Sequence, residues 1–191
     1  MTGPAPAAPD GKPPRPWWVP LLGVGSIGLG GFQALGGLML AWVATLVGGK
    51  AGGTFFGLCL AWLLPGLVLA TSGAGVVTGA RWGRALSLAA VAAGALALGL
   101  VAWNRAAIPA AVADFYEYVE REHGSSRDVA DLLKRMQAAG QGDPVAVLRD
   151  PDTARVSAWT FTVECCCPVV PWYLVVLLAC ALPGGRRIAG P

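Results

Sequence analysis

Charged side chains are scarce in this chain. Only 13% of its 191 residues are Asp, Glu, Lys or Arg, while 55% are apolar; a soluble globular domain has about 25% charged residues. So short a chain cannot bury this much apolar surface in a water-exposed core, whereas lipid can solvate it. The net charge of +3 is small and dispersed, which gives no basis for a nucleic-acid-binding surface. The composition predicts an integral membrane protein.

Catalytic and cofactor motifs are also missing. The chain has one histidine, His123, and no Ser-His-Asp arrangement can be argued from it. Gly23, Gly25 and Gly28 match the dinucleotide-binding spacing, but they lie in an apolar run that no strand precedes, so the match is coincidental. We therefore predict no catalytic residue, no cofactor or cofactor-binding site, and a protein that is not an enzyme.

Four long apolar runs stand out against this background, at residues 18–47, 54–80, 85–103 and 159–182. A helix needs about 20 apolar residues to cross a hydrocarbon layer about 30 Å thick, and these runs have about that length or more. Their apolar residues are continuous rather than alternating, which excludes a membrane β-barrel. The predicted fold is all-α, a four-helix transmembrane bundle with an extracytoplasmic amphipathic helical hairpin between spans 3 and 4.

The few basic residues predict the orientation. With four crossings, the proline-rich tail 1–17, the connection after the second span and the tail 184–191 lie on one side. They carry Lys12, Arg15, Arg81, Arg84, Arg186 and Arg187. The positive-inside rule places this side in the cytoplasm, so the protein is predicted to be a multi-pass cell-membrane protein with both termini cytoplasmic. Spans 1–3 then occupy residues 18–104 and span 4 residues 159–183, and residues 105–158 face outward.

A cleaved signal peptide is the alternative interpretation of the first apolar run. Lys12 and Arg15 would be its basic leading region. The run is much longer than the 7–15 apolar residues typical of a signal peptide, and no small-x-small cleavage site follows. An uncleaved first span is favoured.

The first span has a stripe of small residues, spaced by alternating four and three positions so that they share one helical face. They are Gly30, Ala34, Gly37, Ala41, Ala44 and Gly48. Small residues let a neighbouring helix approach closely in lipid. We predict a helix-packing surface, used by default against the other spans of the same chain, with self-association as the alternative.

The second and third spans have fewer features that bear on packing or function. Pro65 and Gly66 lie near the middle of the second span and predict a kink, which marks either helix packing, the favoured reading, or a transport site. Trp82 and Trp103 flank the third span and are typical of interfacial anchors. Trp62 lies inside the second span and is predicted to be a packing or lipid-facing residue.

Residues 105–158 form the only sizeable polar segment. A first amphipathic helix is predicted around Pro109, ending at Gly124, and a second follows it, ending at Gly140. The apolar face of the second helix comprises Val129, Leu132, Leu133 and Met136. Two such helices cannot form a core of their own, so their apolar faces are predicted to pack on each other, on the bundle as a cap, or on a protein partner.

Three adjacent thiols precede the last apolar residues. Cys165, Cys166 and Cys167 follow Glu164 and are weak candidates for binding a soft metal or for redox chemistry. Their spacing does not match a structural zinc site, so apolar filling is favoured, no metal site is predicted, and a disulfide is a further alternative. Glu164 lies inside the bilayer if the span begins at residue 159, or at the outer interface if it begins near Val169, which is favoured.

A resemblance rests on Arg15-Pro16-Trp17-Trp18 and the glycine-rich residues 22–28. This segment resembles the start of many small, uncharacterised multi-pass bacterial membrane proteins. The resemblance covers the tail and first span only. It implies a bacterial inner membrane and transfers no functional residue.

Three functions are compatible with these observations. The leading prediction is a non-enzymatic membrane component whose hairpin and small-residue stripe support assembly or partner contact. It is surrounded by the lipid bilayer, and the predicted contact is with a protein partner or a second copy of the chain. The alternatives are a small transporter or channel subunit, with Pro65 and Glu164 near its pathway, and a thiol-based redox or metal-handling protein using residues 165–167.

Overall fold

The computed structural model describes residues 16–123, 149–150 and 169–181. These residues contain five helices and no strand: α1 Trp18–Val47, α2 Gly49–Thr78, α3 Trp82–Trp103, α4 Ala107–His123 and α5 Val169–Ala181. The all-α prediction is confirmed for this part of the chain. Helices α1, α2 and α3 are long and apolar enough to cross a membrane, whereas α5 is apolar but has only 13 described residues.

The turn between α1 and α2 consists of a single residue outside the helices, Gly48. Gly48 has φ 66° and Gly49 has φ 57°, a left-handed conformation that only glycine adopts at little cost. The Gly48 N–H donates to the Ala44 carbonyl, and the Gly48 carbonyl accepts from Gly52. Because the chain reverses so sharply, α2 begins at Gly49 rather than at residue 54, where the sequence prediction placed the start of the second span.

Helices α1 and α2 pack antiparallel along most of their length with their backbones almost touching. A Cβ atom added to Gly30 would lie 2.5 Å from the Gly66 carbonyl oxygen, and one added to Gly37 would lie 2.8 Å from the Leu63 backbone N. A Cβ on Gly23 would lie 2.9 Å from the Gly73 carbonyl oxygen. Only small residues permit this separation, and it is repeated over about four helical turns.

The turn between α2 and α3 is built on Gly79, which has φ 73° and ends α2 in the left-handed conformation. The Ala80 N–H donates to the Gly75 carbonyl at 2.8 Å. Helix α3 then returns beside α2, and Gly83 meets Gly75 so closely that a Cβ on Gly83 would lie 2.7 Å from the Gly75 carbonyl carbon. Helix α3 begins at Trp82, three residues before the predicted boundary.

The alignment of α1, α2 and α3 places exposed tryptophans at two levels along the helix axes. Gly23, Gly75 and Gly83 lie at one level, and about 20 residues further along α1 and α3 lie Trp42 and Trp103. At 1.5 Å per residue the two levels are about 30 Å apart, which is the thickness of a bilayer core. Trp42 and Trp103 are 63% and 86% exposed at one end, and Trp17 and Trp82 are 78% and 47% exposed at the other. This arrangement is typical of aromatic belts.

Helix α4 packs its apolar face against α2 and, less extensively, α1 near the Trp42–Trp103 level. Phe115 contacts Phe55 edge to face, with ring centroids 6.2 Å apart. Ile108 and Ala111 are buried in a cluster that includes Ala44 and Ala51. The helix begins at Ala107, so Pro109 falls in its first turn, where proline is tolerated. Gly124, the predicted end of this helix, and the predicted second helix that ends at Gly140 lie outside the described residues.

Helix α5 lies antiparallel to α3, with Tyr173 beside Gly94 and Cys180 beside Arg84. Its 13 residues correspond to about 20 Å of helix, less than a full crossing. Of the predicted fourth span, 159–182, only this part is described. Helix α5 contributes Tyr173, Val176 and Cys180 to a buried cluster with Val19, Leu69 and Ala90 of the first three helices.

Candidate functional site: the polar contacts of helix α5

A tryptophan of α5 reaches α1 across the bundle. The Trp172 indole N–H donates to the Ser26 hydroxyl at 3.2 Å. The ring occupies the space left by Gly25, where an added Cβ would lie 2.3 Å from two ring carbons. Gly25 therefore forms a notch for the ring, and Ser26 satisfies its one polar group.

The neighbouring Tyr173 makes an equivalent contact. Its hydroxyl lies 3.3 Å from the Gln33 side-chain oxygen, in a buried environment. Its ring lies against Gly94 of α3, where an added Cβ would lie 2.8 Å from the ring. Gln33 is 4% exposed and is the only strongly polar side chain between Val19 and Val47. Burial of an amide in an apolar environment is costly unless it is hydrogen-bonded, and Tyr173 supplies that bond.

Arg84 makes the third polar contact of α5. Its Nη2 donates to the Cys180 carbonyl at 2.9 Å, which links the first turn of α3 to α5. Within the described residues, the Arg84 Nε is buried and has no hydrogen-bond partner.

The remaining buried hydroxyls are satisfied within their own helices. Ser72 donates to the Leu69 carbonyl and Ser87 to the Gly83 carbonyl, both at 2.8 Å. The polar groups in the interior of the described bundle therefore hold helices together or return to their own backbone. Among the described residues, no group of three or more His, Cys, Asp or Glu side chains is placed to hold a metal.

The small-residue stripe of α1 lies mostly against α2. Gly30, Ala34, Gly37 and Ala44 are buried, and Ala41 is partly buried. Gly48 lies beyond the end of α1 in the turn and is exposed. The packing partner in this structure is thus another helix of the same chain, and the stripe ends one turn before Gly48.

Pro65 and Gly66 lie inside α2 and are buried. A Cβ on Gly66 would lie 2.8 Å from the Gly30 carbonyl oxygen, the Ala34 backbone N and the Gln33 Cβ. This segment is therefore in close contact with α1. Trp62, one turn before it, is partly buried, and its ring lies 3.6 Å from a Cβ added to Gly36.

Several predicted site residues lie outside the described part of the chain. They are Glu164, Cys165, Cys166 and Cys167, and the apolar face Val129, Leu132, Leu133 and Met136. Two other cysteines are described: Cys59 and Cys180 are both free and buried.

Sequence reasoning missed the pairing of Trp172 and Tyr173 with α1. The signal available was Gln33, an isolated amide in an apolar run, which requires a partner. Nothing in the sequence showed that this partner would be a tyrosine 140 positions later. Arg84 was treated only as an orientation signal, whereas the structure gives it a contact with α5.

Comparison with known proteins gives no match to a family model, to a curated protein or to a solved structure.

Proposed function

We propose that this chain is a four-crossing protein of a bacterial inner membrane that acts as a non-enzymatic assembly component. Its fourth crossing comprises α5 together with residues that precede Val169. Both termini face the cytoplasm, and the connection 105–158 meets a protein partner on the opposite side. The proposal rests on two features: the three long apolar helices, and the packing of α4 against them.

The orientation is supported by the arrangement of the helix ends. The start of α1, the Gly79 turn and Cys180 of α5 lie at the same end of the bundle, because Gly23 meets Gly73 and Arg84 meets Cys180. Arg81 and Arg84 also lie at this end. An excess of Arg and Lys beside short connections is typical of the cytoplasmic side.

The single observation that carries the partner role is the position of α4. Its apolar face is held against α2 by the Phe55–Phe115 contact and by burial of Ile108 and Ala111. The opposite face presents Asp114 and Glu120 to solvent. Helix α4 is thereby fixed to the apolar helices, and we infer that the polar connection to which it belongs offers the surface that a partner contacts.

Site-specific photocrosslinking tests the partner role. A benzophenone amino acid replaces Glu120, which is exposed on α4, and in a matched control it replaces Leu96, which is 72% exposed on the apolar surface of α3. We expect a discrete protein adduct from position 120 and lipid adducts alone from position 96. Replacing Leu132 with Asp is expected to abolish the protein adduct.

Two outcomes would contradict the proposal. One is the absence of any protein adduct from position 120 in cells. The other is an equal adduct from both positions, since this would place the partner within the bilayer rather than on the polar connection.

A further inference from the structure

Large exposed apolar side chains stop at about the same level on the three long helices. On α2 they run from Phe56 to Val77, and on α3 from Trp82 to Trp103. Each stretch covers about 21 residues, which at 1.5 Å per residue is about 32 Å, close to the thickness of a hydrocarbon layer. On α1 the last of these side chains is Trp42. Beyond the Trp42–Trp103 level the surface is no longer suited to acyl chains.

The α1–α2 hairpin continues past this level. Helix α1 has five residues after Trp42, and α2 has seven residues before Phe56, so the turn between them lies about 8–10 Å further out. We refer to residues 43–54 as the hairpin tip. No large apolar side chain of the tip is exposed, and its exposed residues are Thr45, Gly48, Gly49, Lys50 and Gly53. Covering this surface, which includes a lysine, with acyl chains is unfavourable.

The hairpin tip is an ordered continuation of the two helices. A Cβ added to Gly52 would lie 2.7 Å from the Ala44 carbonyl oxygen, so the close contact between α1 and α2 persists into the tip. Ala44 and Ala51 are 9% and 6% exposed, in a cluster that includes Ile108 and Ala111 of α4. Helix α4 therefore packs on one side of the tip.

Helix α4 does not have the surface of a helix that lies in lipid. An interfacial amphipathic helix buries its apolar face among acyl chains. The apolar residues of α4 contact protein instead: Phe115 meets Phe55 edge to face, and no large apolar side chain within residues 107–122 is exposed. The exposed residues of α4 include Asp114 and Glu120.

We propose that the hairpin tip and α4 form a platform that lies in water beyond the acyl chains. The polar connection is thereby presented to a partner in the aqueous phase and is not laid on the lipid surface. Use of the platform by a partner rests on the function proposed above, whereas its position relative to the membrane does not.

Two positions on one face of α1 test where the platform lies. Thr45 is in the tip, and Leu38 lies seven residues earlier, about two helical turns inside; both are exposed. Thr45→Cys and Leu38→Cys are made in the full chain, and membrane fragments open on both sides are treated with a cationic methanethiosulfonate. Residues 1–50 contain no native cysteine, so mass spectrometry of the peptide that ends at Lys50 follows the new thiol alone.

We expect Thr45→Cys to react roughly a hundredfold faster than Leu38→Cys or more, because the cost of placing a charge among acyl chains excludes the reagent by about that factor. Equal rates at the two positions would overturn the proposal. Two slow rates would place the tip among acyl chains, and two fast rates would mean that the lipid boundary does not lie near Trp42.

A third position tests the packing of α4 on the tip. Ala44 lies in the tip but is buried, so Ala44→Cys is expected to react slowly. Phe115→Asp weakens the contact with Phe55 and is expected to accelerate the Ala44→Cys reaction roughly tenfold through local opening of α4, while Leu38→Cys keeps its rate. An unchanged rate at position 44 would show that α4 does not cover the tip.

If Phe115→Asp does not accumulate in membranes, Phe115→Ala takes its place and must accelerate the same reaction. None of these rates depends on a partner. The expected rates together with no protein adduct from position 120 would therefore support the position of the platform and refute the assembly function alone.

Discussion

The contact between α1 and α2 and the attachment of α5 differ in kind. Helices α1 and α2 meet backbone to backbone at Gly30 and Gly66, and the contact needs no side chain. Helix α5 packs through side chains and is also hydrogen-bonded through an indole, a phenol and a guanidinium. In lipid, where no hydrophobic effect drives helices together, close packing and hydrogen bonds are the available means. This bundle uses close backbone packing between α1 and α2, and at α5 it adds side-chain hydrogen bonds to the packing.

The difference has a consequence for stability. Close backbone contact is rigid and intolerant of any added atom, because an interior at crystal-like density has no room to relax. Hydrogen bonds between membrane helices contribute only about 0.6 kcal/mol on average, up to about 1.7. We therefore expect α1 and α2 to separate only when the bundle as a whole is lost, and α5 to separate first.

The largest expected effect comes from filling the α1–α2 contact. Gly30→Leu places side-chain atoms where even a Cβ would lie 2.5 Å from the Gly66 carbonyl oxygen and the Ala70 backbone N. We expect a loss of about 3 kcal/mol or more, the upper range for overpacking, measured as a fall in midpoint temperature in detergent. Gly28→Leu is the control, since no residue in the described part of the chain lies within 4 Å of a Cβ there. An equal loss of stability in both variants would contradict the close contact between α1 and α2 at Gly30.

A smaller effect is expected where α5 meets α3. Gly94→Ala forces the Tyr173 ring to move, because the added Cβ would lie 2.8 Å from it. The ring belongs to a side chain, so it can shift, and we expect a loss of about 1–2 kcal/mol. At Gly99 on the same helix, no described residue lies within 4 Å of an added Cβ, so Gly99→Ala should be neutral. A neutral Gly94→Ala would show that Tyr173 does not pack against α3.

The hydrogen bond between Tyr173 and Gln33 is expected to contribute less to stability than the packing of the Tyr173 ring. Tyr173→Phe removes the donor to Gln33, and a double-mutant cycle with Gln33→Leu isolates the coupling. We expect a coupling energy of about 0.6–1.7 kcal/mol, measured by unfolding in mixed detergent. A coupling of zero would mean that Gln33 is satisfied without Tyr173 and that α5 is attached mainly by packing.

The smallest effect is expected outside the bundle. Arg149 pairs with Asp114 and Glu117 of α4, and all three side chains are about half exposed. Solvent and salt screen such a pair, so Arg149→Ala should cost no more than about 0.5 kcal/mol, with the difference from wild type vanishing at high salt. A loss comparable with that of Gly94→Ala would show that the ion pair stabilises the fold as strongly as the α5 contacts.

The framework was largely predictable from the sequence. Glycines and alanines at alternating spacings of four and three define one face of a helix, so the stripe containing Gly30 and Gly37 was identifiable. Its partner was not, because any apolar helix with small residues would suit it. The structure shows that Gly66 and Leu63 lie opposite, and helical periodicity alone cannot select one helix over another.

The attachment of α5 was much less predictable. Gly25 and Gly94 have no neighbours in sequence that mark them as notches for aromatic rings, and they differ from other glycines only once Trp172 and Tyr173 are brought beside them. Hydrogen bonds between residues more than 90 positions apart depend on the arrangement of all helices between them. The sequence prediction placed the start of α2 at residue 54 rather than at Gly49 because residues 49–53 are mostly glycine, a poor helix former. The left-handed turn at Gly48 nevertheless allows the helix to begin there.

The central claim is that lipid surrounds these helices, and extraction of membranes with carbonate and then detergent tests it most directly. Membranes from cells that produce the full chain are washed with alkaline carbonate and then with detergent, and the protein is followed in pellet and supernatant. We predict that it stays in the pellet after carbonate and is released only by detergent. Release by carbonate alone, as a monodisperse protein in detergent-free buffer, would contradict the account.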